Sequence, residues 1–227
     1  MAETQLNFSG GKDSTAMLLH LIEIGKRPDR VIFADTLLEF PEMYDFVDKV
    51  EEHIGQKIIR TRPKHTFFGW FYGSFKSGRY KGQRRGFPYV TNKCWYQREA
   101  KVYAMKEYTK KANTVYIGYA KGEEHRRMKD SKFEYPLIEW GWTEKMCMDY
   151  CIEKGLLNPL YEKFNRLGCF LCPKQSKKSL EIVKKDYPAL WNIIEQLKRD
   201  SPHGFKIGDK LRISNDQVLL EKEADKL

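Results

Sequence analysis

Apolar and polar positions along the first two thirds of the chain predict strands and helices in alternation. Short apolar runs predict buried strands, and longer segments with apolar residues at a helical period predict amphipathic helices. The predicted strands are 4–8 (TQLNF), 30–35 (RVIFAD), 57–62 (KIIRTR) and 114–120 (TVYIGYA). The predicted helices are 13–27, 41–55 and 96–112. This order predicts an α/β fold: an open, mostly parallel sheet of roughly five strands with helices on both faces.

The remaining segments do not follow this alternation. Residues 64–93 mix glycines, aromatic residues and bases without a period, and a loop of that length is usually functional or disordered. Within it, 67–75 is predicted to be a packed apolar helix. Residues 143–155 and 179–200 are predicted to be helical, and 204–227 is predicted to be partial strand or disordered.

Two domains are expected from this pattern. The α/β domain would cover 1–175, and a helical C-terminal extension packed on it would cover 176–227. We find no internal repeat and no low-complexity linker that would suggest further domains.

Composition favours an anionic partner. The 227 residues include 41 Lys and Arg against 31 Asp and Glu, a formal net charge of +10 with a pI near 9.2. Such an excess suits a nucleotide, a nucleic acid or another phosphate-rich substrate. No run approaches the length of a membrane span, and the N-terminal residues lack the pattern of a signal peptide. We therefore expect no membrane partner and a cytoplasmic location. The oligomeric state stays open, a homodimer included.

Residues 9–14 (SGGKDS) form a polar, glycine-containing connection between the first predicted strand and the first predicted helix. The N–H groups at a helix N-terminus bind anions, and glycine lets the backbone approach a phosphate closely. Lys12 adds a positive charge. Hydroxyl donors come from Ser9, Ser14 and Thr15. A plain capped turn with Asp13 or Ser14 as N-cap needs only one polar residue, and this stretch has several, so phosphate binding is the favoured interpretation. The spacing excludes a Walker A loop and a dinucleotide fingerprint.

Five motifs in order carry a resemblance to a known family. SGGKDS resembles the pyrophosphate-binding loop of the PP-loop ATP pyrophosphatases. Four later segments are similar to the phosphoadenosine phosphosulfate (PAPS) reductase-like branch of that superfamily. They are VIFADTLLEFPEMYDFV (31–47), IGYAKGEEHRR (117–127), YPLIEWGWTEKM (135–146) and NPLYEKFNRLGCFLCP (158–173). The resemblance covers most of 5–175, with Met43 where the family often has threonine.

The resemblance implies a role for particular residues, and makes 1–175 a nucleotide-binding domain. The residues with an implied catalytic role are Lys12, Asp13, Asp35 and Arg126. Those with an implied nucleotide-binding role are Ser9, Gly10, Gly11, Ser14, Thr15, Asp35, Thr36, Gly118 and Arg127. Gly118 would let the fourth predicted strand end close to the nucleotide, and the two arginines would pair with phosphate or sulfate oxygens. Without the motif context, a solvated turn would be the better interpretation of these arginines.

The implied ligand is ATP, PAPS or adenylyl sulfate, with Mg²⁺. We expect an acceptor oxygen to attack the α-phosphate of ATP and pyrophosphate to leave, after which the adenylylated acceptor can receive sulfur. The acceptor would be anionic, a nucleotide or a nucleic acid among the candidates. Two alternatives stay open: a true PAPS or adenylyl-sulfate reductase, and a non-catalytic nucleotide- or nucleic-acid-binding module. Such reductases carry a nucleophilic cysteine near the C-terminus, and no cysteine follows Cys172.

The cysteines suggest a metal or redox site. Cys169 and Cys172 form a C-x-x-C turn, whose thiolates can converge on one metal or cluster. The resemblance makes Cys94 the third ligand and implies a [4Fe-4S] cluster with one open iron, since Trp95 replaces the family's adjacent second cysteine. Zinc with a fourth cysteine and a redox dithiol without metal are the alternatives. Cys147 and Cys151 share one helical face and are interpreted as buried core thiols rather than ligands.

Bases and aromatic residues interleave in the long irregular segment. The pattern suits either a lid or a nucleic-acid strand. We expect residues 76–85 to face an anionic substrate, while 67–75 packs into the interior.

Overall fold

The computed structural model describes residues 3–90, 93–202, 205–207 and 211–213. Spatial proximity divides the chain into two compact units. Unit 1 comprises Met1–Arg62 and Lys101–Leu167, and unit 2 comprises Pro63–Ala100 and Gly168–Leu227. This division differs from the boundary expected at residue 175, because the irregular segment after the third strand groups with the C-terminal part. The 1–175 and 176–227 domains stay a prediction.

The strands in chain order are β1 (Thr4–Phe8), β2 (Arg30–Ala34), β3 (Ile58–Thr61), β4 (Tyr89–Val90), β5 (Lys93–Cys94), β6 (Thr114–Ile117), β7 (Phe133–Glu134), β8 (Phe205–Ile207) and β9 (Leu211–Ile213). The α-helices are α1 (Lys12–Glu23), α2 (Pro41–Ile54), α3 (Phe67–Phe71), α4 (Lys106–Lys111), α5 (Pro136–Glu139), α6 (Glu144–Glu153), α7 (Lys177–Asp186) and α8 (Pro188–Asp200). A π-helical segment covers Arg98–Tyr103, and 3-10 turns cover Glu124–Arg126 and Pro159–Glu162.

Unit 1 contains a five-stranded sheet in the order β3-β2-β1-β6-β7. Every pairing in it is parallel. The strand β1 lies in the middle, and the chain builds outward from it first through β2 and β3 and then through β6 and β7. The predicted α/β fold with a parallel sheet is therefore confirmed. The sheet order reverses direction at β1 and β6, which is where open α/β sheets bind ligands.

The C-terminal end of α1 is set by a glycine. α1 buries Ala16, Met17 and Leu18 and stops at Glu23, four residues before the predicted end. Gly25, at φ +74°, donates to the Ile22 carbonyl, and the next N–H bonds to the Leu21 carbonyl. This is a Schellman ending, which glycine permits because it has no Cβ.

Two predicted helices are interrupted. The prediction at 96–112 becomes the π-helical segment followed by the short α4. The prediction at 179–200 becomes α7 and α8, because Pro188 has no N–H to continue the first helix and instead starts the second. The two-residue strand β7 was missed by sequence reasoning, since so short a strand has no detectable alternation.

Unit 2 has an aromatic core. Phe67 and Phe71, one helical turn apart on α3, are fully buried and stack with ring centroids 6.0 Å apart. Phe87 and Tyr96 pack against them. The predicted packed helix is confirmed over Phe67–Phe71 only. In the tail, β8 and β9 pair antiparallel, and the other residues of 204–227 lie outside the described residues.

Among the helices that the structure describes, none combines the length and the apolar character that a membrane crossing requires.

Candidate functional site

The loop 9–11 turns the chain from β1 into α1 at the carboxyl edge of the sheet. Gly10 adopts φ +71°, a left-handed conformation that favours glycine. An added Cβ there would lie 2.3 Å from Met43 Sδ, so the position also has no room for a side chain. Gly11 is the helix N-cap, without a side-chain cap. The N-cap residue therefore adds no side chain of its own, although the Gly11 N–H donates to Ser9 Oγ at 3.3 Å, a partner that an anion bound at this N-terminus would replace.

Hydroxyl groups brace this loop from within. Ser14 Oγ donates to the Gly11 carbonyl at 3.0 Å and lies 2.9 Å from Ser9 Oγ. The Ser9 N–H in turn donates to Ser14 Oγ at 3.1 Å. Thr15 is fully buried and also donates to the Gly11 carbonyl. The structure therefore brings the predicted residues together, and it uses Ser14 and Thr15 to hold the loop in shape.

Lys12 is mostly buried and held by acidic groups. Its Nζ lies 2.7 Å from Glu144 Oε2 and 3.3 Å from Asp13 Oδ2. Burial by itself would lower the pKa of Lys12, but the Glu144 hydrogen bond and the Asp13 charge outweigh it and raise that pKa. Burial raises the pKa of Asp13, opposed by Lys12. A phosphate that binds Lys12 would have to compete with the exposed Glu144, a residue that sequence reasoning did not single out.

Two cysteines lie beneath the loop. Cys147 and Cys151 on α6 are fully buried, as predicted, and Cys151 Sγ lies 3.3 Å from the Lys12 carbonyl oxygen. Burial first, and the Asp13 carboxylate second, raise the pKa of the Cys147 thiol, and the same two causes raise that of Cys151 to about 12. Both are therefore neutral packing groups at physiological pH.

Asn158 and Tyr161 fix the other side of the loop. Asn158 is buried, and its Nδ2 donates to the Gly10 carbonyl at 2.9 Å while its Oδ1 accepts from the Leu160 N–H. The Tyr161 hydroxyl accepts from the Lys12 N–H at 3.0 Å. The segment that contains Asn158 and Tyr161 belongs to the family resemblance, which implies no role for either residue. Nothing in their spacing reveals that the 3-10 turn Pro159–Glu162 lies against the loop.

The carboxyl end of β2 contributes Asp35 and Thr36. Asp35 is buried and accepts hydrogen bonds from Tyr44 Oη and the Leu37 N–H, both at 2.9 Å, and pairs with Arg62. Leu37 has φ +60°, the only described non-glycine residue with positive φ. Thr36 donates to the half-buried Glu39 at 2.7 Å. Asp35 and Thr36 thus lie in a strained turn that follows β2, the strand paired with β1. Strained backbone is common at functional positions.

Gly118 follows β6, the strand beside β1. An added Cβ at this position would lie 3.1 Å from the Ser14 backbone, so glycine is what allows β6 to end against the start of α1. The role implied for Gly118 beside a nucleotide stays a prediction.

Arg126 and Arg127 belong to a layered cluster. The Arg126 guanidinium lies 4.1 Å from the Tyr119 ring centroid and pairs with Glu123, and Arg127 lies over Tyr135. The two tyrosine rings stack, with an interplanar angle of 15°. Flat aromatic contacts hold both guanidinium groups at the surface, where they can meet an anion.

The cysteines with a predicted metal role belong to unit 2. Cys94 lies on β5, and Cys169 and Cys172 share a turn closed by a 3.0 Å bond from the Cys172 N–H to the Cys169 carbonyl. Across residues 3–90, 93–202, 205–207 and 211–213, no group of three or more His, Cys, Asp or Glu side chains is arranged to hold a metal ion. The metal site at Cys94, Cys169 and Cys172 therefore stays a prediction.

Comparisons with known proteins find a matching family and similar sequences. A model of the phosphoadenosine phosphosulfate reductase domain matches residues 3–175. Two uncharacterized proteins of Methanocaldococcus jannaschii, MJ0066 and MJ0973, are similar: 31% identical over 89% of this chain and 29% over 85%. The chain spans less than half of their length, 42% and 47%.

A solved structure shares the fold. It is a phosphoadenylyl-sulfate reductase from Candida auris in complex with phosphate, with a TM-score of 0.55 and 20% identity. The likeness covers 75% of this chain and 82% of that one.

Proposed function

The chain belongs to the phosphoadenosine phosphosulfate reductase domain family, and on that premise we propose that unit 1 binds ATP and transfers its adenylyl group to an anionic acceptor. Pyrophosphate leaves, and the activated acceptor is then ready to receive sulfur. One observation supports this most directly: a glycine-built helix N-terminus at the sheet position where the strand order reverses. Both features favour a phosphate chain at the loop 9–14.

The proposed chemistry asks for positioning and charge stabilisation. An acceptor oxygen forms a bond to the α-phosphorus while the bond from that phosphorus to the bridging oxygen of pyrophosphate breaks. The N–H groups at the start of α1 and the Lys12 ammonium stabilise the negative charge on the departing pyrophosphate, whose oxygens replace Ser9 Oγ and the Tyr161 hydroxyl as acceptors. Asp35 and Thr36 would contact the adenosine, and Arg126 and Arg127 the phosphate or acceptor anion.

Mg²⁺ has one supporting observation in the loop. Asp13 Oδ1 is buried and has no N–H or O–H donor within the described residues, and the neighbouring Cys147 thiol is the one group that hydrogen-bonds to this side chain without a charge. A carboxylate in that state suits a hydrated Mg²⁺, which usually takes only one or two protein carboxylates. When bound, the ion would neutralise charge on the pyrophosphate. Among the described residues, no comparable observation supports a metal at Cys94, Cys169 and Cys172, and no step of the proposed reaction passes through these residues.

Exchanging Lys12 for alanine tests the site. Lys12→Ala should weaken ATP binding, measured by calorimetry, by roughly 1.5–3 kcal/mol because a charge-assisted hydrogen bond is lost. Lys26→Ala removes the same charge beyond the other end of α1, where the side chain is exposed, and should leave the affinity unchanged. Equal affinities for both variants and wild type would exclude the loop from the site.

Product analysis distinguishes the reactions. Pyrophosphate released from ATP on addition of acceptor supports adenylyl transfer. Sulfite released from PAPS without ATP would instead identify a reductase, the candidate favoured by the family's description. Tight nucleotide binding with neither product would leave a binding module.

A further inference from the structure

Residues 73–86, the basic hairpin of unit 2, form a compact surface feature that the proposed reaction does not use. Phe75 donates from its N–H to the Gln83 carbonyl at 3.0 Å, and its own carbonyl accepts from Gly82 at 2.9 Å. Arg85 bonds back to the Gly73 carbonyl and Gly86 to that of Phe71. The hairpin is thus tied through its backbone to α3, and through the Arg84 guanidinium, which donates to the Asp200 carbonyl at 3.2 Å, while its other basic side chains are exposed or half-buried.

The hairpin and the residues around it carry basic side chains with few acidic ones. No acidic residue occurs from Pro63 to Arg98. The exposed bases of the hairpin are Lys76, Arg79, Lys81 and Arg84, with Arg85 half-buried. The acidic group facing the hairpin is Asp200 at the end of α8, and the Tyr72 hydroxyl occupies its Oδ2 at 2.6 Å. A strongly positive surface remains, which suits a polyanion.

Aromatic rings alternate with these bases in space as well as in sequence. Arg85 lies 4.3 Å from the Trp70 ring centroid, Arg84 lies 5.6 Å from that of Tyr72, and Arg79 lies 5.9 Å from that of Tyr80. Tyr72 and Tyr80 remain about half exposed, at 45% and 51%. Each pair therefore presents a flat ring beside a fixed guanidinium.

We propose that the basic hairpin binds single-stranded nucleic acid, with guanidinium and ammonium groups on the phosphates and the tyrosine rings stacked on bases. Exposed aromatic rings serve no purpose for a purely acidic peptide, whereas every base has a face that can stack. The proposal deepens the proposed function by naming a class for its anionic partner, but its test is a binding measurement that does not depend on adenylyl transfer.

Two sets of variants separate charge from stacking. The charge variant carries Arg79→Gln, Lys81→Gln and Arg84→Gln. Its matched control carries Lys177→Gln, Lys178→Gln and Lys185→Gln, three exposed bases of α7 in the same unit. The stacking variant is Tyr80→Ala, and its control is Tyr103→Ala in unit 1, with 52% exposure against 51%.

The probe is a fluorescein-labelled single-stranded RNA oligonucleotide without self-complementarity, titrated by anisotropy at several salt concentrations. The charge variant should bind more weakly, and its slope of log K against log salt should be shallower by about 2, since each phosphate contact on a single strand contributes about 0.7. Tyr80→Ala should lose about 5- to 150-fold in affinity with the slope unchanged. Both controls should bind like wild type, and all variants should keep wild-type ATP affinity.

Two results would overturn the proposal. If the charge variant and its α7 control lose affinity equally, the binding reflects net charge and not this surface. If Tyr80→Ala binds RNA like wild type while heparin displaces the RNA at equal charge concentration, the hairpin is a general polyanion surface. If the wild-type protein does not bind ATP, the proposed function is wrong, but the RNA-binding measurement still tests the hairpin.

Discussion

The loop 9–14 and the basic hairpin have similar compositions and opposite constructions. Both combine glycines with serine and basic residues, and both contain left-handed glycines: Gly10 at φ +71°, and Gly78 and Gly82 at +80° and +84°. An added Cβ at Gly10 would overlap Met43, whereas nothing lies within 4 Å of one at Gly78 or Gly82. In the loop the glycine makes room for a neighbouring side chain, as Gly86 does for Ser201 at the base of the hairpin, whereas Gly78 and Gly82 only turn the backbone.

The polar groups differ in the same way. In the loop, hydroxyl and amide side chains point inward and satisfy the backbone, as Asn158 does for the Gly10 carbonyl. In the hairpin, the backbone bonds mainly to backbone, and most of the basic side chains are exposed. The loop should therefore couple ligand binding to folding stability, while the hairpin should separate the two. Four predictions, from the largest expected effect to the smallest, test that contrast.

Gly10→Ala should destabilise the fold by about 2–4 kcal/mol. The left-handed backbone costs about 1 kcal/mol for alanine, and displacing the buried Met43 side chain adds about 1–3 kcal/mol of overpacking strain. Gly25→Ala is the matched control, because it has φ +74° with open space around the added Cβ. Denaturant unfolding should show only the backbone cost there. Equal losses at both positions would mean that the loop is no more tightly packed than an exposed helix end.

Asn158→Ala should cost about 2–3 kcal/mol of unfolding free energy, because it leaves the Gly10 carbonyl and the Leu160 N–H without their buried partner. ATP affinity should fall as well, since the loop loses a fixed point. Asn165→Ala, at an exposed position of the same unit, should stay within about 0.5 kcal/mol. If the variant loses stability but keeps its ATP affinity, Asn158 stabilises the loop without contributing to the binding site.

Alkaline pH should destabilise the protein through the thiols beneath the loop. Cys151 has a pKa of about 12 when folded, against about 8.5 in an unfolded chain, so between these values the unfolded state releases a proton that the folded state keeps. Stability is therefore highest below pH 8.5 and falls above it, by about 1.4 kcal/mol per pH unit for this thiol. Cys151→Ala should flatten the decline measured by urea unfolding between pH 8.5 and 10. An unchanged slope would show that Cys151 ionises in the folded state.

The charge variant of the hairpin should have nearly the same unfolding free energy as wild type. Replacing exposed Arg79, Lys81 and Arg84 by glutamine should change unfolding free energy by no more than about 0.5 kcal/mol per site. Thermal or urea unfolding beside wild type checks this. A loss as large as that of Gly10→Ala would make the hairpin part of the folding core and would remove the contrast between the two regions.

The periodicity of the first half was sufficient for the main elements of unit 1. β1 is found at the predicted residues. α2 begins at Pro41 as predicted and ends at Ile54, one residue before the predicted end, because Gly55 adopts a left-handed conformation there. Proline at the start and glycine after the end are local signals for both limits. The loop 9–14 was also predictable, because its chemistry is contained in six consecutive residues. Where local signals were weak the predictions failed: two-residue β7 was missed, and the third predicted helix is broken.

The sequence by itself determined the alternation of strands and helices, the identity of the loop and the family, because each depends on residues that are neighbours in the chain. Only the tertiary structure decided that Asn158, Tyr161 and Cys151 surround that loop, since more than 130 positions separate them from Gly10 and Lys12. It also decided that Gly118 meets Ser14, and that the arginines of the hairpin stack on rings from α3 and from the hairpin itself. Such contacts arise from strand order and packing, which no local pattern of residues encodes.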